Sequence, residues 1–184
     1  MRIMKLALAT VVGIVIGSAS AHAITVKKRI EAPGLPSDIW EIVGEFCAIK
    51  SWHPAVAECE ETVEGDVTFR TLTLKDGGKI KEKLTDTDDL SYSYEITEGP
   101  LPVKDYSSKL WIEEDDEPDR SVIYWESEFE AADGTSEEEA QKLIAGILGD
   151  GVKGIKKQAI EAWDKAHPEE AGEGTSGGGG DDGD

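Results

Sequence analysis

Two charged residues draw notice because the surrounding pattern puts them where charge is costly. Arg70 and Glu82 lie on strand-like segments and share their parity with Leu72, Leu74, Ile80 and Leu84. A charge on an apolar face must be paired or must bind something polar. Read as a three-residue turn, Asp76-Gly77-Gly78 sets Leu74 opposite Ile80, Leu72 opposite Glu82 and Arg70 opposite Leu84. Arg70 and Glu82 are then diagonal neighbours on one face. Two readings stay open: an ion pair bracing a concave sheet, or a polar anchor for the carbonyl or carboxylate of a ligand.

Other reactive groups are few. Cys47 and Cys59 are the only cysteines. As a disulfide they close a loop around Trp52, His53 and Pro54 and contribute about 2–3 kcal/mol. Free thiols are one alternative. A zinc site with His53 is another, but the spacing matches no standard zinc pattern. As a general base, His53 needs an orienting carboxylate; otherwise it packs a loop. Tyr92 and Tyr94 share a face with Ile96, Tyr106 with Ser108 and Leu110, and Trp125 with Ile123 and Ser127. Such stripes make a core, yet so many hydroxyl groups also suit an apolar pocket with a few convergent polar groups. The acidic clusters near 86–89 and 113–117 lack the glycine and ligand spacing of a calcium loop. No nucleophile elbow, phosphate loop or dinucleotide fingerprint occurs. The candidate binding set is therefore Trp52, His53, Arg70, Glu82, Tyr92, Tyr94, Tyr106 and Trp125, with no catalytic set, metal or cofactor assigned.

The chain that must position these residues has 184, with 39 acidic against 19 basic and a net charge of −20. So negative a surface repels nucleic acid and anionic lipid; it favours solubility, cations or a basic partner. Residues 1–23 read as a cleaved signal peptide: Arg2 and Lys5, an apolar run from Leu6 to Ile16, then Ala21-His22-Ala23. Cleavage after Ala23 implies a periplasmic protein and takes the charge from −20 to −22 by removing Arg2 and Lys5. No later run is long enough to span a bilayer. Residues 168–184 hold no apolar side chain larger than alanine or proline and read as a disordered acidic, glycine-rich tail.

Residues 24–167 form the body, one domain. Period-2 alternation marks a first strand through Ile24, Val26, Lys28 and Ile30, and a helix opens at Pro36-Ser37-Asp38 with Ile39, Trp40, Val43 and Phe46 on its apolar face. Irregular chain follows over 47–54. Six extended segments come next, near 57–64, 67–75, 79–87, 91–98, 103–114 and 120–131. A long helix over about 136–166 closes the body. Ser136 and Glu139 form its capping box, and its stripe runs through Leu143, Ile144, Ile147, Leu148, Val152 and Ile160. Gly146, Gly149, Gly151 and Gly154 interrupt it; either the helix approaches the sheet closely there or it bends over something. The expected class is α+β: an antiparallel curved sheet of about seven strands, order β-α-α-β6-α, wrapped around the long C-terminal helix.

Several stretches resemble a known family. They are Phe46-Cys47-Ala48-Ile49-Lys50-Ser51-Trp52-His53-Pro54-Ala55-Val56, then Phe69-Arg70-Thr71-Leu72-Thr73-Leu74-Lys75-Asp76-Gly77-Gly78, Tyr92-Ser93-Tyr94-Glu95-Ile96, Pro100-Leu101-Pro102-Val103 and Trp125-Glu126-Ser127-Glu128-Phe129. With the element order, they resemble the helix-grip fold of the START/birch-pollen-allergen (SRPBCC) superfamily, in its polyketide cyclase/dehydrase branch and among exported MxaD-like proteins. That resemblance implies a cavity for a hydrophobic ligand, a cyclase, or an aid to partner proteins. The MxaD-like resemblance in particular implies a periplasmic accessory of methanol oxidation that helps a dehydrogenase meet its cytochrome.

Three functions of different class follow. The chain is a periplasmic, non-catalytic carrier or sensor of a small hydrophobic molecule; or an accessory whose acidic surface docks a basic periplasmic redox protein; or a cyclase or lyase using Arg70, Glu82 or a tyrosine. The first is adopted. A cavity of about 300 Å³ or more favours a ligand over docking.

Overall fold

A computed structural model describes residues 23–171. The signal-peptide reading of 1–23 falls outside them except for Ala23, as does the tail from 172 onward.

Strand β1 (Ile24–Pro33) runs into helix α1 (Pro36–Val43), whose Pro36 occupies the first turn, where no N–H is needed. A 3₁₀ turn, Phe46–Ala48, and a single helical turn, α2 (Ile49–Trp52), occupy the stretch expected to be irregular. Phe46 therefore belongs to this turn and not to α1. Strands β2 (Val56–Glu64), β3 (Val67–Leu74), β4 (Lys79–Asp88), β5 (Ser91–Glu98), β6 (Val103–Glu114) and β7 (Arg120–Ala131) follow. Helix α3 (Glu137–Ala166) closes the body, and one short turn, α4 (Pro168–Ala171), stands where the sequence suggested the tail would already be unstructured.

The seven strands form one antiparallel sheet in the order β1-β7-β6-β5-β4-β3-β2. Sequential hairpins build the run from β2 to β7, and β1 closes it beside β7. Helix α3 packs chiefly on β1 and β7. Its inner residues Ile144, Leu148, Val152 and Ile155 meet Leu110, Ile123 and Phe129 of the concave face in one core. The capping box forms as expected: Ser136 Oγ accepts from Glu139 N–H, and Glu139 Oε2 accepts from Ser136 N–H, both at 3.2 Å. The apolar stripe is wider than the buried face, so Leu143 and Ile160 stand 41% and 38% exposed.

Two local irregularities aim side chains. Thr73 pairs with Lys79, leaving 74–78 as a connection wider than the expected three-residue turn. Gly77, at φ 91°, and a bond from Gly78 N–H to Asp76 Oδ1 shape it. The register consequently differs by two residues from the sequence reading: Leu72 faces Ile80, and Arg70 faces Glu82 directly. A two-residue slip preserves the face, so the pair still points inward. In β6 one extra residue sits between the pairs Lys104–Glu130 and Ser107–Glu128, where Asp105 adopts φ 52°. That bulge sends Lys104 outward to Glu130 and Asp133 while Tyr106 stays inside.

The α3 glycines divide. A Cβ on Gly151 would strike the Trp125 ring and His53, and one on Gly154 would overlap the backbone carbonyl of Trp52. Close approach explains these two. Gly146 meets nothing within 4 Å and Gly149 only the Lys28 side chain. Gly154→Ala should therefore destabilise by about 1–3 kcal/mol through overpacking, because the obstructing atom is backbone. Gly146→Ala should be neutral or stabilising by up to about 1 kcal/mol. Urea unfolding of both variants checks the contrast, and equal effects would refute the close-packing account.

Candidate functional site

Arg70 is 0% exposed and Glu82 4%. Arg70 Nε donates to Glu82 Oε2, and Nη1 donates to the carbonyl of Phe46. The guanidinium carbon lies 4.0 Å from the Phe46 ring centre, 5.0 Å from Tyr94 and 5.8 Å from Tyr92, so the charge is boxed by aromatic faces. Nη2 has no acceptor among the described residues. The Phe46 turn is held to β2 by the Cys47–Cys59 disulfide, with Cα atoms 5.5 Å apart. Burial works to lower the Arg70 pKa, but the attraction of Glu82 overcomes it and holds the guanidinium charged. Burial pushes the Glu82 carboxyl up, and Arg70 pulls against that rise.

A second network sits beside the pair. Tyr106 and Ser127 hydroxyls meet at 2.7 Å, and Ser108 and Ser127 at 2.9 Å. Ser108 also donates to the Glu126 carbonyl at 2.7 Å. Trp125 Nε1–H points to Ser108 Oγ at 3.0 Å and Tyr94 Oη at 3.2 Å. These hydroxyls thus satisfy one another. Burial raises the pKa of Tyr92, Tyr94 and Tyr106 and keeps them neutral.

His53 is buried at the end of α2. Its Nδ1 accepts from Ala55 N–H at 3.2 Å, which leaves Nε2–H to donate to the Ile147 carbonyl of α3 at 3.2 Å. Both ring nitrogens are committed to backbone, as a loop-packing histidine requires. Burial lowers its pKa, chiefly by desolvation.

Between the sheet, α2 and α3 lies a cavity of about 70 Å³. Of the residues singled out in the sequence, His53, Glu82, Tyr94, Tyr106 and Trp125 line it. Trp52, Arg70 and Tyr92 do not; they form the layer behind. Trp52 packs edge-on against Trp125 at 5.5 Å, and Tyr92 edge-on against Phe46 at 5.6 Å. The remaining wall is aliphatic. Ile144 and Ile147 were legible as part of the α3 stripe, whereas Ala55 and Leu101 fall between the expected strands, in stretches that entered only through the family resemblance. The volume is well below the roughly 300 Å³ that favours a ligand over docking, so that criterion is not met; a ligand held here has to be unusually small. Outside, a groove of about 520 Å³ runs past Leu143, Gly146 and Ile147, and shares His53, Ala55 and Ile147 with the cavity. The His53–Ile147 hydrogen bond thus lies where groove and cavity adjoin.

The family model described as polyketide cyclase / dehydrase and lipid transport matches residues 22–159. The chain belongs to that family. The fold is similar to that of XoxI from Bacillus cereus, with TM-score 0.70 and 29% identity over 75% of this chain and 96% of that one. A START superfamily protein from Mycobacterium smegmatis shares the fold at 15% identity, TM-score 0.64, covering 75% of this chain and 98% of its own. So does the Zhui aromatase/cyclase from Streptomyces, at 13% identity and TM-score 0.62, over 76% and 94%. No curated protein matches the chain. Family and fold agree with the helix-grip reading of the sequence.

Two measurements test the electrostatics of this member of the family. Removing either Arg70 or Glu82 alone leaves a buried charge without its partner and should cost about 3–5 kcal/mol, whereas Arg70→Met with Glu82→Leu should recover most of it. Chemical denaturation of the two singles and the double reads this directly; additive losses would mean the pair is not coupled. For His53 the folded pKa lies below the ordinary 6.5. Its contribution is then present above pH 6.5 and lost as pH falls through the lower folded value. Wild type should lose more stability than His53→Gln on acidification from pH 7; parallel curves would contradict the buried neutral imidazole.

Proposed function

We propose that the chain is an exported, non-catalytic binding protein for a small, mainly apolar molecule that carries one hydrogen-bond donor. One observation carries this reading: a hydrogen-bond census of the cavity wall. The His53 nitrogens, the Tyr94 and Tyr106 hydroxyls and the Trp125 N–H are each engaged within the protein. Glu82 commits Oε2 to Arg70, and its Oε1 accepts from no described residue. The wall therefore offers one carboxylate oxygen with no partner among the described residues, beside hydroxyls and ring nitrogens already bonded within the protein and an aliphatic remainder. A hydroxyl or amine fits such a site; a carboxylate or carbonyl faces repulsion from Glu82. Arg70, the alternative anchor for those groups, stands behind the wall. Size narrows the class further, since the cavity is about half the roughly 150 Å³ that holds benzene in an engineered apolar site.

A carrier or sensor is favoured over a cyclase because His53, Tyr94 and Tyr106 on the wall each hold a structural bond and Glu82 is already paired with Arg70. Export rests on the leader-like residues 1–23 and on the strand that begins at Ile24, the first residue after the proposed cleavage point. The disulfide suits an oxidising periplasm.

A second reading, docking of a basic periplasmic redox protein, is favoured by one feature. Strand β2 is a sheet edge, and Glu58, Glu60, Glu61 and Glu64 are exposed along it. The likeness to XoxI at 29% identity is the nearest support for an MxaD-like role.

Isobutanol, isobutylamine and isobutyrate, nearly equal in size, separate the readings. Titrated into the full chain by NMR, the alcohol and amine should give saturable shifts at Glu82, Tyr94 and Ile144, and the acid none. Loss of the alcohol response in Glu82→Leu/Arg70→Met, with the fold intact, completes the expected pattern. Response to all three probes or to none overturns the donor-ligand assignment.

A further inference from the structure

Lysines of this acidic chain converge at one place on its surface. Lys50 on α2, Lys75 after β3, and Lys153 and Lys157 on α3 line an open groove of about 600 Å³. Three segments distant in sequence supply them, and Gln158 of α3 donates to the Ser51 carbonyl, tying two of those segments together. The groove also holds Asp150 and Glu161, which pair along the helix with Lys153 at 3.5 Å and Lys157 at 3.6 Å. Lys50 and Lys75 have no carboxylate within ion-pair distance among the described residues. The lining thus carries four positive charges against two negative, in a chain whose net charge is −20. A concave surface with low-dielectric walls concentrates the field of such charges.

We infer that this groove is a binding site for a small anion, a soluble carboxylate- or phosphate-bearing molecule, with Lys50 and Lys75 supplying the charge left uncompensated by the protein. The strongly negative remainder of the chain repels anionic polymers and membranes, so the ligand is a small molecule. The site is separate from the interior cavity, although His53 and Val56 border both. It stands whether or not the cavity takes a ligand.

The test is a titration of the full chain with inorganic phosphate, and separately with succinate, at low ionic strength, followed by amide NMR. Saturable shifts confined to 50–56, 75 and 150–161 are expected, weakening as salt is raised. Each lysine removed in Lys50→Gln and Lys75→Gln should weaken binding about fivefold, the value of one charge at contact distance in water. The control is Lys27→Gln with Lys109→Gln, the same change of net charge made beside Trp111 on the outer sheet face. It should leave the affinity unchanged. Absence of saturable shifts overturns the site, and so does equal weakening by the two double variants, which would show a response to net charge alone.

Discussion

The constraint on which the rest of the structure depends is the burial of one guanidinium. Arg70 is 0% exposed and cut off from bulk solvent, so three things must meet around it: the Glu82 carboxylate across the hairpin, the Phe46 carbonyl from the 3₁₀ turn, and the aromatic faces of Phe46, Tyr92 and Tyr94. Each requirement fixes an element. The hairpin must pair residue 70 directly with 82, the turn after α1 must offer an unused carbonyl, and β5 must present its tyrosines inward. The disulfide from Cys47 to Cys59 ties the same turn to the adjacent strand. A buried pair of this kind is weak evidence for net stability. Its consequence here is positional: it sets Glu82 at the cavity wall with one oxygen held and the other free.

The opposite side of the cavity is set by helix approach. Gly151 and Gly154 let α3 lie against Trp125, His53 and the Trp52 carbonyl. The closeness brings the Ile147 carbonyl to His53 Nε2. Together with the Ala55 N–H that His53 Nδ1 accepts, that bond commits both ring nitrogens to backbone, and burial favours the neutral imidazole. The same closeness leaves the interior small. The interior is filled by Tyr94, Tyr106 and Trp125, whose polar tips bond to one another and to the neighbouring serines.

Much of this was legible in the sequence because period-2 and period-3.6 patterns report faces directly. The strand set, the capping box of α3 and the inward faces of Tyr92, Tyr94, Tyr106 and Trp125 follow from alternation alone. The inward placement of Arg70 and Glu82 follows too, since a register error of two residues leaves the face unchanged. What did not follow is what alternation does not encode. The width of the 74–78 connection depends on turn hydrogen bonds, and the bulge at Asp105 is one residue in a strand that otherwise reads as continuous. Which member of the ion pair reaches the cavity is decided by packing depth. So is the layering that puts Trp52, Arg70 and Tyr92 behind the wall. The lysine groove escaped for a different reason: its members come from three segments, and no single stretch of sequence is basic.

The proposed seating of a small donor-bearing ligand at Glu82 Oε1 can be tested on the native protein. The most direct measurement is a high-resolution crystal structure of the protein isolated from its own cell envelope without added ligand. Compact, non-aqueous density in the cavity within hydrogen-bond distance of Glu82 Oε1, with the Arg70–Glu82 pair intact, is the expected result. Ordered water alone at that oxygen, or a carboxylate seated against Arg70, would contradict it.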